Sequence, residues 1–310
     1  MKVSGDKIKL LVIVGPTASG KSDLAVRLAE RIGGEIVNAD SVQVYRGLDI
    51  GAAKPTTEVQ ERVPHHLIDI VDPDEDFTAS DYCRVAASAI TDIHARGRIP
   101  VVVGGTGLYI KTLLQGLIDS PSGDESIRQE LRQFASLHGN EALHHRLVEV
   151  DPVAAAEIHP NNLVRVVRAL EVFLISGQPL SALQKDHSFG GNHYAPLKIG
   201  LSMDRAMLYR RIDERVDAML AAGLEEEVRR LLAAGCSPEL KSMRSLGYKE
   251  MCAYLAGECP LNEAIELIKR DTRHYAKRQL TWFKKDPGIK WFEYSTNFVS
   301  ICNHVIEFFC

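Results

Sequence analysis

Lys9-Leu10-Leu11-Val12-Ile13-Val14-Gly15-Pro16-Thr17-Ala18-Ser19-Gly20-Lys21-Ser22 opens the chain with an apolar run that stops at a glycine-flanked loop and a lysine-serine pair. The run has the length and β-branched content of a buried strand. Gly15 and Gly20 let the loop turn successive N–H groups inward, while Lys21 supplies a point charge and Ser22 a hydroxyl suited to magnesium. The amphipathic stretch that follows predicts a helix over 21–32, whose free N–H groups and positive dipole end face the same loop. Strand, loop and helix in this order form a phosphate cradle, so a ligand carrying a di- or triphosphate belongs on residues 15–22.

Outward from this cradle, the first third of the chain alternates short β-rich runs with helical patterns, the signature of a parallel sheet covered by helices. Strands are predicted over 9–14, 35–38 and 99–103, and helices over 21–32, 80–96 and 108–115. Each strand runs into polar or glycine-rich sequence: the P-loop, Ala39-Asp40-Ser41, and Gly104-Gly105-Thr106-Gly107. Ligands of open α/β sheets sit beyond the carboxyl ends of the strands, so these loops are expected to share one crevice, with Asp40 and Thr106 near the phosphates. From 116 to 196 the β signal fades. Helices are predicted over 126–137, 141–150, 152–157 and 162–175, Gly177 is a stop, and 187–196 has the composition of a turn or mobile loop. A strand over 198–203 returns the chain to the sheet, and helices follow over 205–222, 224–234, 248–256 and 261–285. The expected fold is α/β: a P-loop core with a parallel sheet flanked by helices, from 1–115 and 197–310, plus an all-helical insertion domain over 116–196.

The chain has 310 residues, a formal net charge of -4 and six cysteines. That charge argues against a uniformly basic coat for unspecific nucleic-acid binding. The cysteines form no C-x-x-C pair and no zinc-like spacing with histidine, which indicates free thiols. The apolar run at 10–14 is too short for a signal-peptide core and no stretch reaches membrane-spanning length, so a soluble, cytoplasmic protein is expected.

Several residues beyond the cradle could carry chemistry. Asp40 is the one well-placed carboxylate: it could act as a general base, or cap the turn that follows it. The acidic magnesium ligand that a motor or GTPase needs at a strand end is missing after 99–103, which ends in glycine and threonine instead. Gln43 could make amide contacts to a nucleobase edge, and Lys54 could touch phosphate or lie on the surface. Arg165 and Arg168 share one side of a helix. Lys269, Arg273 and Lys277 form a stripe on the last predicted helix, flanked by Arg270, His274 and Arg278, with Asp271 as the lone acid. Such a stripe suits a polyanion. Arg244 and Lys249 lie in a small basic loop whose Tyr248 could stack on or pack beside a base. Arg205, Arg211 and Arg215 on one helix could include a partner for a leaving phosphate.

The order of these motifs carries a resemblance. Gly15-Pro-Thr-Ala-Ser-Gly-Lys-Ser22, Asp40-Ser-Val-Gln-Val-Tyr45, Asp49-Ile-Gly-Ala-Ala-Lys-Pro55, Pro64-His-His-Leu-Ile-Asp69, Gly104-Gly-Thr-Gly-Leu-Tyr109, Arg168-Ala-Leu-Glu-Val172 and Arg244-Ser-Leu-Gly-Tyr248 resemble the bacterial tRNA dimethylallyltransferase family. Ala52 stands where that family often has threonine. The resemblance implies transfer of a five-carbon prenyl group from dimethylallyl diphosphate to N6 of adenosine 37, beside the tRNA anticodon, with release of diphosphate. It implies that residues 15–22 hold the donor's diphosphate with Mg2+ on Ser22, that Arg211, or else Arg205, assists the leaving group, and that Asp40 takes the N6 proton. Thr106 and Gln43 would contact the flipped adenosine, with Ser41 and Val42 beside them. Arg128, Arg165, Arg168 and the loop Arg244, Ser245, Leu246, Gly247, Tyr248 and Lys249 would grip the anticodon stem-loop. The protein is expected to act as a monomer. An ATP-dependent small-molecule kinase, a prenyltransferase of free adenine nucleotides and a noncatalytic RNA-binding module are the rival readings; the first two leave the basic helices without a purpose, and the third leaves Lys21 and Ser22 without one.

Overall fold

The computed structural model describes residues 7–116, 121–186 and 193–309. Six strands, β1 (Ile8–Val14), β2 (Gly34–Asn38), β3 (His65–His66), β4 (Ile99–Gly104), β5 (Tyr194–Ser202) and β6 (Lys290–Glu293), form one sheet in the order β3-β2-β4-β1-β5-β6. Every pairing is parallel. β1 lies inside the sheet, with Leu11 beside Val101 on β4 and Leu197 on β5. A strand covered on both faces needs apolar side chains on both, which is why 10–14 reads as a continuous run rather than an alternating one. Leu10, Val12 and Val14 point into one core, Leu11 and Ile13 into the other. The first core receives Tyr82, Ile90 and Ile93 from α3 (Ala79–Ala95). The second receives Leu24 and Leu28 from α1 (Lys21–Ile32), and Ile301 and Val305 from α14 (Tyr294–Phe309).

α1 begins after Gly20 and ends at Gly33, both left-handed. α3 starts at a reciprocal capping box between Thr78 and Asp81. β2 and β4 end where the sequence predicts, β4 one residue longer. β5 begins earlier, at Tyr194 rather than near Lys198, which corrects the loop reading of 194–196; residues 187–192 lie outside the described residues. Pro196 disguises this strand. It is tolerated because β6 joins β5 only from Ile199 onward, so at Pro196 the strand has β1 as its one ladder neighbour.

The chain divides into two compact units, Met1–Leu114 with Asn192–Cys310, and Gln115–Gly191. The second contains α5 (Glu125–His138), α6 (Asn140–Val150), α7 (Pro152–Glu157), α8 (Leu163–Ser176) and α9 (Leu180–Asp186) around Leu131, Leu143, Leu147, Val166 and Leu170. At its centre the fully buried Glu171 accepts from the Asp124 amide (2.7 Å), Arg128 Nε (2.8 Å) and Arg168 Nη1 (2.6 Å).

In the first unit the corresponding buried acid is Glu227, on α11 (Leu224–Ala233). Its carboxylate accepts from the amides of Asp49 (3.1 Å), Ile50 (2.8 Å) and Gly51 (3.2 Å) and from the Tyr248 hydroxyl (2.6 Å). Gly51 is required by close approach: a Cβ there would lie 2.5 Å from the Tyr248 ring. Removing this acceptor strands several donors, each costing about 1–3 kcal/mol when left unpaired. Glu227→Ala is therefore expected to lower stability by about 3 kcal/mol or more, read as a lower urea midpoint, and Tyr248→Phe by about 1 kcal/mol.

Candidate active site

The cradle is present where the sequence places it. Gly15 has φ +151°, and a Cβ there would sit 2.9 Å from the Leu201 carbonyl oxygen, so the loop packs tightly over β5. Lys21 Nζ donates to the Pro16 carbonyl at 2.6 Å. Burial and the nearby charge of Arg215 hold the Lys21 ammonium down at about pKa 7, with Asp40 opposing them. Ser19 Oγ is buried and has no hydrogen-bond partner among the described residues. A cavity of about 190 Å³ opens here, bounded by Ala18, Gly20, Lys21, Ser22, Asp23, Arg211 and Arg215. A desolvated ammonium, two arginines and a helix N-terminus around one space form a site for an anion.

Among the described residues no group of three or more His, Cys, Asp or Glu is arranged to hold a metal. Magnesium is commonly bound through one or two protein oxygens and completed by phosphate and water. The Ser22 hydroxyl, on a residue that borders the phosphate-sized cavity, fits such a site.

α10 (Arg205–Ala221) carries the three candidate arginines, and the structure separates them. Arg205 stands at the first turn with its guanidinium 5.2 Å from the Tyr209 ring centre and borders neither cavity of the site. Arg211 borders the cradle. Arg215, one turn on, borders both the cradle and the adjoining cleft. Burial lowers its pKa while Asp40 supports its charge and Arg211 opposes it. Sequence reasoning gave Arg215 no role of its own; the signal was its four-residue spacing from Arg211.

The adjoining cleft, of about 390 Å³, lies between the loops after β1 and β2, α10, α13 (Leu261–Phe283) and the loop at 244–249. Asp40 Oδ1 accepts from the amides of Val42 (2.9 Å) and Gln43 (3.4 Å), so one oxygen does cap the turn. Its Oδ2 accepts no hydrogen bond from the described residues and is left for a ligand. Thr106 joins the loops after β2 and β4: its amide donates to the Ala39 carbonyl (3.1 Å) and its hydroxyl accepts from the Ser41 amide (3.1 Å). Burial, followed by the charge of Asp40, pushes the Tyr275 hydroxyl up to about 12, so it remains a neutral donor.

Gln279 is the residue that sequence reasoning missed. Its Oε1 accepts from the Thr17 amide in the P-loop (2.8 Å), and its Nε2 donates to the Gly105 carbonyl (3.0 Å). A Cβ on Gly105 would lie 2.1 Å from that Nε2, and one on Gly107 would lie 2.3 Å from the Trp282 indole, which explains two glycines of the second loop. The available signal was a glutamine on the otherwise apolar face of Ala276 and Phe283.

Other expected contacts go elsewhere. Gln43 Nε2 donates to the Ala52 and Ala53 carbonyls (3.0 and 3.1 Å), so its amide donor is already engaged. Lys54 is a buried clamp, not a phosphate ligand: Nζ donates to the Tyr45 carbonyl and Asp49 (both 2.7 Å) and also meets Asp69. Tyr248 is fully buried with its hydroxyl on Glu227, which corrects the stacking expectation, since no ring face is free for a base. Arg244, Ser245, Leu246, Gly247 and Lys249 do border the cleft; Arg244 pairs with Glu239, and Lys249 with Asp271 (3.2 Å). Arg128 and Arg168 are committed to Glu171, while Arg165 is exposed without an ion pair among the described residues.

The basic stripe is only partly free. Lys269 pairs with Asp217 (2.7 Å) and Arg273 with Asp213 (2.6 Å), both acids supplied by α10 rather than by α13 itself. Lys277, Arg278 and Lys285 form no ion pair among the described residues, and with His274, Thr281 and the half-exposed Trp282 they border a groove of about 410 Å³. Arg278 borders the cleft as well.

A profile of the IPP transferase family matches residues 43–286, starting just after the P-loop and Asp40. The tRNA dimethylallyltransferase 2 of Geotalea uraniireducens is 63% identical over 304 residues, covering 98% of each chain. The tRNA dimethylallyltransferase of Geobacter sulfurreducens is 62% identical over 306 residues, covering 99% of this chain and 98% of that protein. The crystal structure of a tRNA isopentenylpyrophosphate transferase from Bacillus halodurans matches with TM-score 0.72 and 45% identity, over 97% of this chain and 96% of that one. A eukaryotic dimethylallyltransferase acting on tRNA matches with TM-score 0.78 and 30% identity, over 94% of this chain and 76% of that one.

Two outcomes are expected of the cradle. Anion binding favours protonated Lys21, so near pH 8 inorganic diphosphate should bind with more proton uptake in the native protein than in Lys21→Arg, whose guanidinium stays charged; calorimetry in buffers of different ionisation heat reads the difference. Gln279→Leu should unhook Thr17 and weaken diphosphate binding roughly tenfold, measured in the same titration.

Proposed function

The chain belongs to the IPP transferase family of tRNA dimethylallyltransferases, and from that membership we propose how its residues move a dimethylallyl group from dimethylallyl diphosphate to N6 of adenosine 37. The enzyme transfers a dimethylallyl group to tRNA. The observation that carries the detailed reading is the position of Arg215 at the junction of cradle and cleft, with the unused oxygen of Asp40 facing the same space.

The diphosphate of the donor occupies the cradle, on Lys21, Ser19, Ser22 and the loop amides. The allylic carbon then lies at the mouth of the cleft. As its bond to the diphosphate oxygen breaks, the electron pair stays on that oxygen, where Lys21, Arg211 and Arg215 stabilise the growing charge without moving. N6 attacks the same carbon, and its proton passes to Asp40 Oδ2, held in place because Oδ1 is fixed by two amides. The Ser22 hydroxyl would hold magnesium, which when bound would supply further electrostatic stabilisation to the diphosphate. Thr106 keeps the Asp40 loop and the glycine loop in register around the base.

An adenosine can reach this cleft only when unstacked from the anticodon loop. The groove of Lys277, Arg278, Lys285 and Trp282 offers phosphate and base contacts beside it, and Arg165 and Arg244 add cations for the stem-loop. Incubation with labelled dimethylallyl diphosphate, magnesium and unmodified tRNA should label tRNA bearing adenosine 37 and not a variant lacking it; label in neither, or in both, overturns the acceptor.

Asp40→Asn should lower kcat by about 10²-fold or more while inorganic diphosphate still inhibits. Lys277→Glu with Lys285→Glu should weaken tRNA binding and reduce its salt slope by roughly one to two. Lys269→Glu should act differently, lowering the melting temperature through the loss of its pair with Asp217.

A further inference from the structure

We infer that Met219, backed by Ile268, forms the end wall that limits the transferred chain to five carbons. This rests on the donor assignment above and extends it to a residue that selects chain length.

The inference follows from the register of two helices. The pairs Asp213 with Arg273 and Asp217 with Lys269 show that a four-residue step forward on α10 corresponds to four residues back on α13, so the helices run antiparallel. The same register sets Arg211 level with Tyr275, Arg215 near Thr272, and Met219 near Ile268. Along α10, Arg211, Arg215 and Met219 fall on one face at steps of about 6 Å. On the facing helix the sequence is Tyr275, Thr272 and Ile268. Both walls thus change together from cationic and polar at the cradle to apolar one turn beyond Arg215.

That polarity matches an allylic diphosphate lying along the helix pair. With the diphosphate between Lys21 and Arg215, the hydrocarbon tail points toward Val216, Met219 and Ile268, all of which border the cleft. Val216 and Ile268 are almost completely buried, and Met219 packs against the main core, so the wall is backed by packed side chains. The interval of about 6 Å between the levels of Arg215 and Met219 accommodates a dimethylallyl chain. Another isoprene unit adds roughly 5 Å of extended carbon chain, at about 1.5 Å per bond, and would enter the core. The purine belongs on the other side, because its edges need polar partners. Asp40, Ser41 and Ser245 offer them, and the Met219 wall has none.

The test uses the full-length enzyme, unmodified tRNA, and two donors with the same leaving group, dimethylallyl and geranyl diphosphate. The readout is the ratio of kcat/KM for the ten-carbon to the five-carbon donor, which is independent of the folded fraction of a preparation. Native enzyme should strongly prefer five carbons, and Met219→Ala should raise the ratio about tenfold or more. Met219→Phe should instead depress five-carbon transfer, with inhibition by inorganic diphosphate unchanged. An unmoved donor ratio in Met219→Ala, or full five-carbon activity in Met219→Phe, overturns the inference, as does a raised KM for tRNA with the ratio intact, which would place the base against Met219. Native enzyme that transfers neither chain to any tRNA would refute the donor assignment instead.

Discussion

The Gln279 amide is the constraint on which the catalytic geometry depends. One side chain from α13 accepts from the P-loop and donates to the glycine loop after β4, so two loops from different strands are tied to one helix. Backbone groups in loops that surround a cavity cannot all find partners in a ladder, and water would compete for them whenever the cavity is open. A buried amide matches one donor and one acceptor with no net charge, so it holds the P-loop without adding a charge to the cradle. The close approach it needs removes the side chain at residue 105, and the indole of Trp282 does the same at 107. The glycine loop is thus shaped as much by α13 as by any ligand.

Three cations, Lys21, Arg211 and Arg215, converge on the cradle, with Asp40 as the nearby counter-charge. Burial, and after it the repulsion between like charges, lowers the pKa values of Lys21 and Arg215, so both oppose keeping these groups charged. An anion placed in the cradle would offset that cost. Elsewhere buried charges are met by hydrogen bonds or counter-charges, as Glu227, Glu171 and Lys54 show. The contrast separates charges that build the scaffold from charges kept available to a substrate.

The sequence made the central fold legible because β1 is apolar on both faces and leads directly into a glycine-spaced loop; few arrangements satisfy both. β3 and β6, with two and four residues, are too short to show a period, and Pro196 hid the start of β5. At the site, residues on the loops after strands were readable, because strand ends must converge. Contacts between distant helices were not. The charges of Lys269 and Arg273 looked unpaired because the acids that meet them lie on α10, more than fifty positions away. Tyr248 looked like a stacking residue because its burial depends on Glu227 and Gly51, neither near it in the chain.

Those two misread cations have a consequence for the chemistry. Paired with Asp213 and Asp217, they lock α10 against α13 at a fixed register, and that register sets Arg215 opposite the cleft and α13 at the two catalytic loops through Gln279. Partly exposed ion pairs contribute little to stability one at a time. Two in succession along an antiparallel helix pair nevertheless oppose a slip by one turn, since such a slip would separate both pairs at once. Helix α13 therefore has two faces with distinct duties. Lys269 and Arg273 hold the catalytic frame, and Lys277, Arg278 and Lys285 remain outside it, one to four turns further along, where a polyanion can reach them.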